Sequence, residues 1–81
     1  MYMISICIAT YNGARYIAEQ LASILKQLSA EDEVVVSDDG STDGTLDIVR
    51  SFNDRRIRIV DGPQRHSPTL NFEWALRNAK G

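Results

Sequence analysis

Hydrophobic and polar positions along the chain switch repeatedly between two periods. Residues 3–9, MISICIA, are apolar and β-branched with one serine, the pattern of a strand buried on both faces and hence of a parallel sheet. TYNG breaks that run. From Ala14 the spacing changes: Ile17, Leu21, Ile24, Leu25 and Leu28 fall at i, i+4, i+7, i+8 and i+11, one stripe of an amphipathic helix, with Asn12 as its expected N-cap. The polar turn SAED leads into a second apolar strand, Glu33 to Ser37. Then comes DDGSTDGT, followed by a helix carrying Leu46, Val49 and Phe52 that Thr42 or Asp43 can cap. RIRIV at 56–60 alternates as a third strand, and DGPQRHSP is a loop by composition. Ser67 before Pro68 predicts an N-cap with proline at the first helical position. The last helix then presents Phe72, Ala75, Leu76 and Ala79 at i, i+3, i+4 and i+7, with Gly81 where a C-cap belongs.

The predicted order, βαβαβα, is the three-layer α/β half of a doubly wound parallel sheet with strand order 3-2-1. Ligands of such sheets bind beyond the carboxyl ends of the strands. TYNG and DDGSTDG both fall at that edge, side by side when their strands pair, so the two unusual loops form one site.

Composition narrows what the site can meet. Eighty-one residues, 43 % of them hydrophobic, supply one modest core. The net charge of −2 is spread along the chain, which offers no field for nucleic acid or anionic lipid. Cys7, the single cysteine, lies inside the first apolar run and reads as a small core residue, in keeping with a reducing, cytoplasmic setting. That run lacks a basic flank and is too short for a membrane span or a signal peptide.

The loops exclude several chemistries. Neither the G-x-G-x-x-G of a dinucleotide fold nor a P-loop is present. Asp39, Ser41, Asp43 and Gly44 imitate a calcium loop, but the twelfth position is Arg50, a cation, and a strand precedes the loop instead of a helix. A phospho-receiver domain would need acids after the first strand, where Thr10 and Asn12 stand. What remains is an aromatic face, Tyr11, and a carboxylate, Asp39, at neighbouring strand tips. A base stacks on such a ring for about 1–3 kcal/mol. The carboxylate accepts the imide N–H of uracil or thymine, a donor that cytosine lacks at that position. Asp38 is expected to serve the turn and point the other way. Asp, Gly, Ser and Thr at a strand-to-helix turn are also ordinary capping chemistry, and spacing alone leaves both readings open.

ISICIATYNGARYIAEQLASIL, VVVSDDGSTDGT and NFEWALRNAKG, in this order and over nearly the whole chain, resemble the N-terminal part of family 2 glycosyltransferases. The resemblance implies a GT-A fold and inverting transfer from a nucleotide sugar, and is greatest to the bacterial branch that builds surface polysaccharides. It implies that Tyr11 packs on the base, that Asp39 bonds the uracil of UDP or the thymine of dTDP, and that Ala9 and Thr10 line the same pocket. The implied nucleotide-binding set is Ala9, Thr10, Tyr11, Asn12, Asp38, Asp39 and Gly40. Relatives often begin the third helix with Ala-Arg-Asn, whereas this chain has Leu70-Asn71-Phe72-Glu73, which leaves the phosphates to Arg65 or Asn71.

The resemblance also implies that residues 1–81 are the nucleotide-binding portion of a transferase of about 250 residues or more. The divalent metal, Mg or Mn, is expected only in the full-length enzyme, because the Asp-x-Asp ligands and the acidic base belong to downstream sequence; the 81 residues alone are expected to be inactive. The alternative is a non-catalytic nucleotide-binding or protein-interaction module. His66 stands alone in its loop and suggests no metal site. Arg55, Arg56 and Arg58 read as a solvated strand edge. Trp74 lies off the helical stripe and reads as packing that is exposed in a short chain. The outer edge of MISICIA carries no charge or proline, which predicts that two copies pair there as a homodimer.

Overall fold

A computed structural model describes residues 3–62 and 68–79, with the side chains of 68–70 left aside. Its elements are β1 (Ser5–Thr10), α1 (Ile17–Gln27), β2 (Glu33–Asp38), α2 (Thr45–Ser51), β3 (Ile57–Asp61) and α3 (Pro68–Asn78). The three strands form one parallel sheet in the order β1-β2-β3, as the pattern predicts. Cys7 pairs with Val35, and Val35 with Arg58; Thr10, Asp38 and Asp61 share the last register at the carboxyl edge.

Alternation along the strands sends two sets of side chains to two layers. Ile8, Val34 and Val36 meet Ile17 and Leu21 of α1 and Val49 of α2, with Ile6, Ile24, Ile57 and Ile59 packed around them. The other face carries α3 over β1 and β2, where Ala75 is fully buried. Every residue of β2 is buried, whereas β1 and β3, the two sheet edges, are mostly half-buried. The expectation that the first strand is covered on both faces therefore holds for the central strand.

Three local expectations change. Asn12 does not cap α1: that helix starts only at Ile17, preceded by Tyr16 with no side-chain cap, and the Asn12 side chain is spent elsewhere. The buried face of α3 is rotated from the apolar stripe. Asn71 and Ala75 point inward, while Phe72 is 45 % and Leu76 52 % exposed. The cause is polar: the Asn71 amide is bonded to the ends of β1 and β2, which fixes the helix about its axis. The arginines around β3 are also more than a solvated edge. Arg56 donates to the Leu25 and Leu28 carbonyls at the end of α1 and pairs with Asp54 at 2.7 Å, satisfying orphan carbonyls of a helix terminus. Arg58 reaches Glu33 and the Asn78 carbonyl.

Candidate functional site

The carboxyl edge is built around Asp38, the last residue of β2. Its Oδ1 accepts from the Thr10 hydroxyl at 2.7 Å and the Ser41 hydroxyl at 2.5 Å, and its Oδ2 from the Ser41 backbone N–H at 2.9 Å. A carboxylate bonded three residues ahead closes the chain into a tight turn. Gly40 inside the turn has a φ of 83°, the left-handed conformation glycine adopts without steric penalty. Asp38 thus serves the turn, as its sequence position suggests.

A second set of bonds ties the two loops together. Asn12, at a φ of 54°, accepts on Oδ1 from the Thr42 N–H at 2.8 Å, and its own N–H donates to the Ser41 hydroxyl at 2.8 Å. Gly13 N–H donates to the Thr45 hydroxyl and Ala14 N–H to Asp43. Asp43 also accepts from Thr45, backbone and hydroxyl, just before α2; the cap position itself is Gly44, so neither Thr42 nor Asp43 caps the helix as expected. The Thr45 hydroxyl, followed by the N–H groups of Ala14 and Thr45, holds the Asp43 carboxyl below its ordinary range. Sequence reasoning missed this cross-bracing because a local N-cap and a partner some 30 positions away call for the same residue type.

Asp39 differs from every acid around it. It is 1 % exposed, and its Oδ1 has no hydrogen-bond partner among the described residues. Its backbone N–H donates to the Thr10 carbonyl at 2.9 Å, which sets the residue directly beside the end of β1. One position past that end stands Tyr11, 47 % exposed. A buried acceptor without a donor is costly unless a ligand supplies one. Thr10 and Asp38 lie at the edge with them; Ala9, one register step back, pairs with Ser37.

Asn71 is brought to the same place but faces protein. It is 2 % exposed, donates from Nδ2 to the Thr10 carbonyl at 3.2 Å and accepts on Oδ1 from the Ser37 hydroxyl at 2.5 Å. Oδ1 and one of the two Nδ2 hydrogens are thus engaged by protein groups. Arg65 and His66 lie outside the described residues. An open groove of about 330 Å³ between α2 and β3, lined by Val49, Arg50, Asp54 and Ile57, contains none of the candidate residues. Among the described residues no three His, Cys, Asp or Glu side chains are grouped to hold a metal ion.

Known proteins are similar to the chain in sequence and in fold. The glycosyl transferase family 2 model matches residues 5–81. Validoxylamine A glucosyltransferase of Streptomyces hygroscopicus subsp. jinggangensis is 52 % identical over 61 residues, 72 % of this chain and 14 % of the enzyme. The UDP-Glc:alpha-D-GlcNAc-diphosphoundecaprenol beta-1,3-glucosyltransferase WfgD of Escherichia coli is 34 % identical over 80 residues, 99 % of this chain and 32 % of that enzyme. In three dimensions the chain is similar to the mannosyltransferase PcManGT of Pyrobaculum calidifontis, solved in complex with GDP-Man and Mn2+. The TM-score is 0.82 at 34 % identity, over 96 % of this chain and 24 % of that one. The chain thus spans a third or less of the length of these relatives. With a three-stranded parallel sheet that overlays part of a GT-A enzyme and a family match over nearly its whole length, the chain belongs to glycosyl transferase family 2.

Proposed function

We propose that the chain binds the nucleotide of a UDP- or dTDP-sugar at the carboxyl ends of β1 and β2, and that the full-length protein transfers the sugar with inversion in bacterial polysaccharide assembly. The observation that carries this reading is the buried Oδ1 of Asp39, unpartnered among the described residues, beside the half-exposed ring of Tyr11. A uracil or thymine stacked on Tyr11 turns its imide N–H to that oxygen, giving the orphan acceptor a charge-assisted bond. Guanine also offers N–H donors, and the PcManGT complex holds GDP-Man; the UDP-Glc in the name of the Escherichia coli relative favours the pyrimidine here.

In inverting transfer an acceptor hydroxyl attacks the anomeric carbon as the bond to the diphosphate oxygen breaks, and a base takes the hydroxyl proton. The described residues supply the anchor for the leaving nucleotide. Base and metal fall to residues outside these 81, where a divalent cation would offset charge on the diphosphate. Titration with UDP, dTDP and GDP, followed by amide NMR, tests the reading. UDP or dTDP should shift residues 9–12 and 38–40, with weak affinity because few contacts offset the entropy of binding. Shifts confined to other regions would remove the site, and tighter binding of GDP would remove the pyrimidine assignment.

A further inference from the structure

The ends of β1 and β2 are bonded to one side-chain amide of α3. The Thr10 carbonyl accepts two donors, the Asp39 N–H at 2.9 Å and Asn71 Nδ2 at 3.2 Å, and so uses both of its lone pairs. At its other end the Asn71 amide holds the hydroxyl of Ser37, two residues before Asp39 on β2. β3 closes the third side. Gly62, just past its end, donates its N–H to the Asp38 carbonyl at 2.7 Å. A Cβ at Gly62 would stand 2.7 Å from Asn71 Oδ1, 3.0 Å from the Asp38 carbonyl oxygen and 3.1 Å from the Asp39 Cα. Only a residue without a side chain lets the backbone approach both the amide and Asp39 so closely.

We propose that Asn71 is a positioning residue: it binds no phosphate, and by joining the end of β1 to β2 under α3 it fixes the depth and direction of the Asp39 carboxylate, thereby setting base selectivity. The inference rests on the reading of Asp39 as the base acceptor. Its physical basis is that a hydrogen bond to a buried acceptor depends steeply on angle and distance. The segment bearing Asp39 has its backbone N–H on the same carbonyl that Asn71 holds. Without the amide, that carbonyl loses one of two restraints and the Ser37 hydroxyl loses its acceptor. The gap between the tips of β1 and β2 is then set less tightly, and the carboxylate drifts relative to the ring of Tyr11.

The test compares UDP with CDP, which shares the ribose diphosphate but presents a lone pair where uracil presents its imide N–H. The unaltered protein should prefer UDP by about ten-fold or more. Asn71→Ala should lower that ratio about five-fold while leaving CDP affinity within about two-fold. Ser37→Ala, a smaller change that keeps the bond to Thr10, should lower it in the same direction and serves if Asn71→Ala fails to fold. In Asp39→Asn/Asn71→Ala the ratio should fall no further than in Asp39→Asn alone, the mark of a residue acting through another. Equal weakening of UDP and CDP by Asn71→Ala, with the ratio kept, would identify a phosphate contact and overturn the proposal. If Asp39→Asn abolishes the preference while both folded variants, Asn71→Ala and Ser37→Ala, retain it, the positioning role alone is wrong. If Asp39→Asn retains the preference, the base reading falls and this inference falls with it.

Discussion

β2 begins and ends with adjacent acids, Asp32-Glu33 and Asp38-Asp39, and all four are buried. At the amino end every acid is answered. Asp32 accepts from the N–H groups of Ile4 and Ser29 at 2.9 and 2.8 Å. Glu33 accepts from the Ser5 hydroxyl at 2.5 Å and from Arg58 at 3.2 Å. At the carboxyl end Asp38 is equally well supplied, but Asp39 keeps an oxygen with no partner among the described residues. All four are buried acids at the two ends of one strand, so the difference lies in whether the fold supplies the donors. An acid that the fold satisfies stabilises structure; one that it leaves unsatisfied, at the edge where parallel sheets take ligands, awaits a donor from outside.

The sharpest break of this comparison is a pair of substitutions read by two measurements. Asp39→Asn should weaken UDP by about 1.5–3 kcal/mol, roughly ten-fold or more, because it replaces a charge-assisted acceptor by an amide. The free protein should melt higher, since an uncompensated buried carboxylate is removed. Asp38→Asn should do the reverse, lowering the melting temperature through the lost Thr10 and Ser41 bonds with a smaller effect on UDP. Calorimetric titration and thermal melts check both. Equal loss of UDP binding in the two variants would dissolve the distinction within the pair.

Next in size is the amino end. Arg58→Ala should lower stability by about 1–2 kcal/mol, a value set between a surface and a buried pair because the arginine side chain is 34 % exposed and that of Glu33 only 10 %. UDP affinity should not change. Urea unfolding with a parallel titration tests this, and a fall in UDP affinity at unchanged fold would show the two ends to be coupled.

Acid should then reveal the satisfied carboxylates as a group. Hydrogen bonds from Arg56 hold the Asp54 carboxyl down at about 2. The N–H groups of Ile4 and Ser29 hold that of Asp32 below its ordinary range. A carboxyl whose value is depressed on folding contributes stability above its unfolded value, about 3.9. That stability is lost as pH falls from about 4 towards 2. Urea midpoints measured across this window should decline, and Asp54→Asn should flatten the decline; an unchanged slope in that variant would discount the Asp54–Arg56 pair.

Much of this was legible in the sequence for a physical reason: apolar periodicity reports burial, and burial dictates the sheet order and the two layers. VVV marked the central strand, and the stripe from Ile17 to Leu28 marked α1. The misses are all polar groups with distant partners. Asn12 read as a cap because caps are local, yet its bonds reach Ser41 and Thr42 across 29 and 30 positions. Phe72 and Leu76 read as the inner face of α3, because hydropathy cannot show that one amide turns a helix toward two strand ends. Arg56 read as solvated because its acceptors are carbonyls at the end of α1, which no side-chain pattern displays. Asp39 was legible as a candidate from its place beyond a parallel strand; its missing partner was not, since an unmet bond leaves no mark in a sequence.

The smallest expected effect uses Cys7 as a reporter of the amino end. Burial raises the thiol above its ordinary value, Glu33 raises it further, and Arg58 opposes them. The thiolate is the reactive form, so alkylation of the folded protein near pH 8 should be slower than that of an unstructured cysteine peptide. Glu33→Gln removes the like charge and should speed alkylation about two-fold. Arg58→Ala removes the opposing cation and should slow it by a similar factor. Asp39→Asn lies at the other end of the strand and should leave the rate alone. A comparable change with Asp39→Asn would mean that the field of its carboxylate spans the sheet, and the two ends of β2 would then have to be treated as one electrostatic unit.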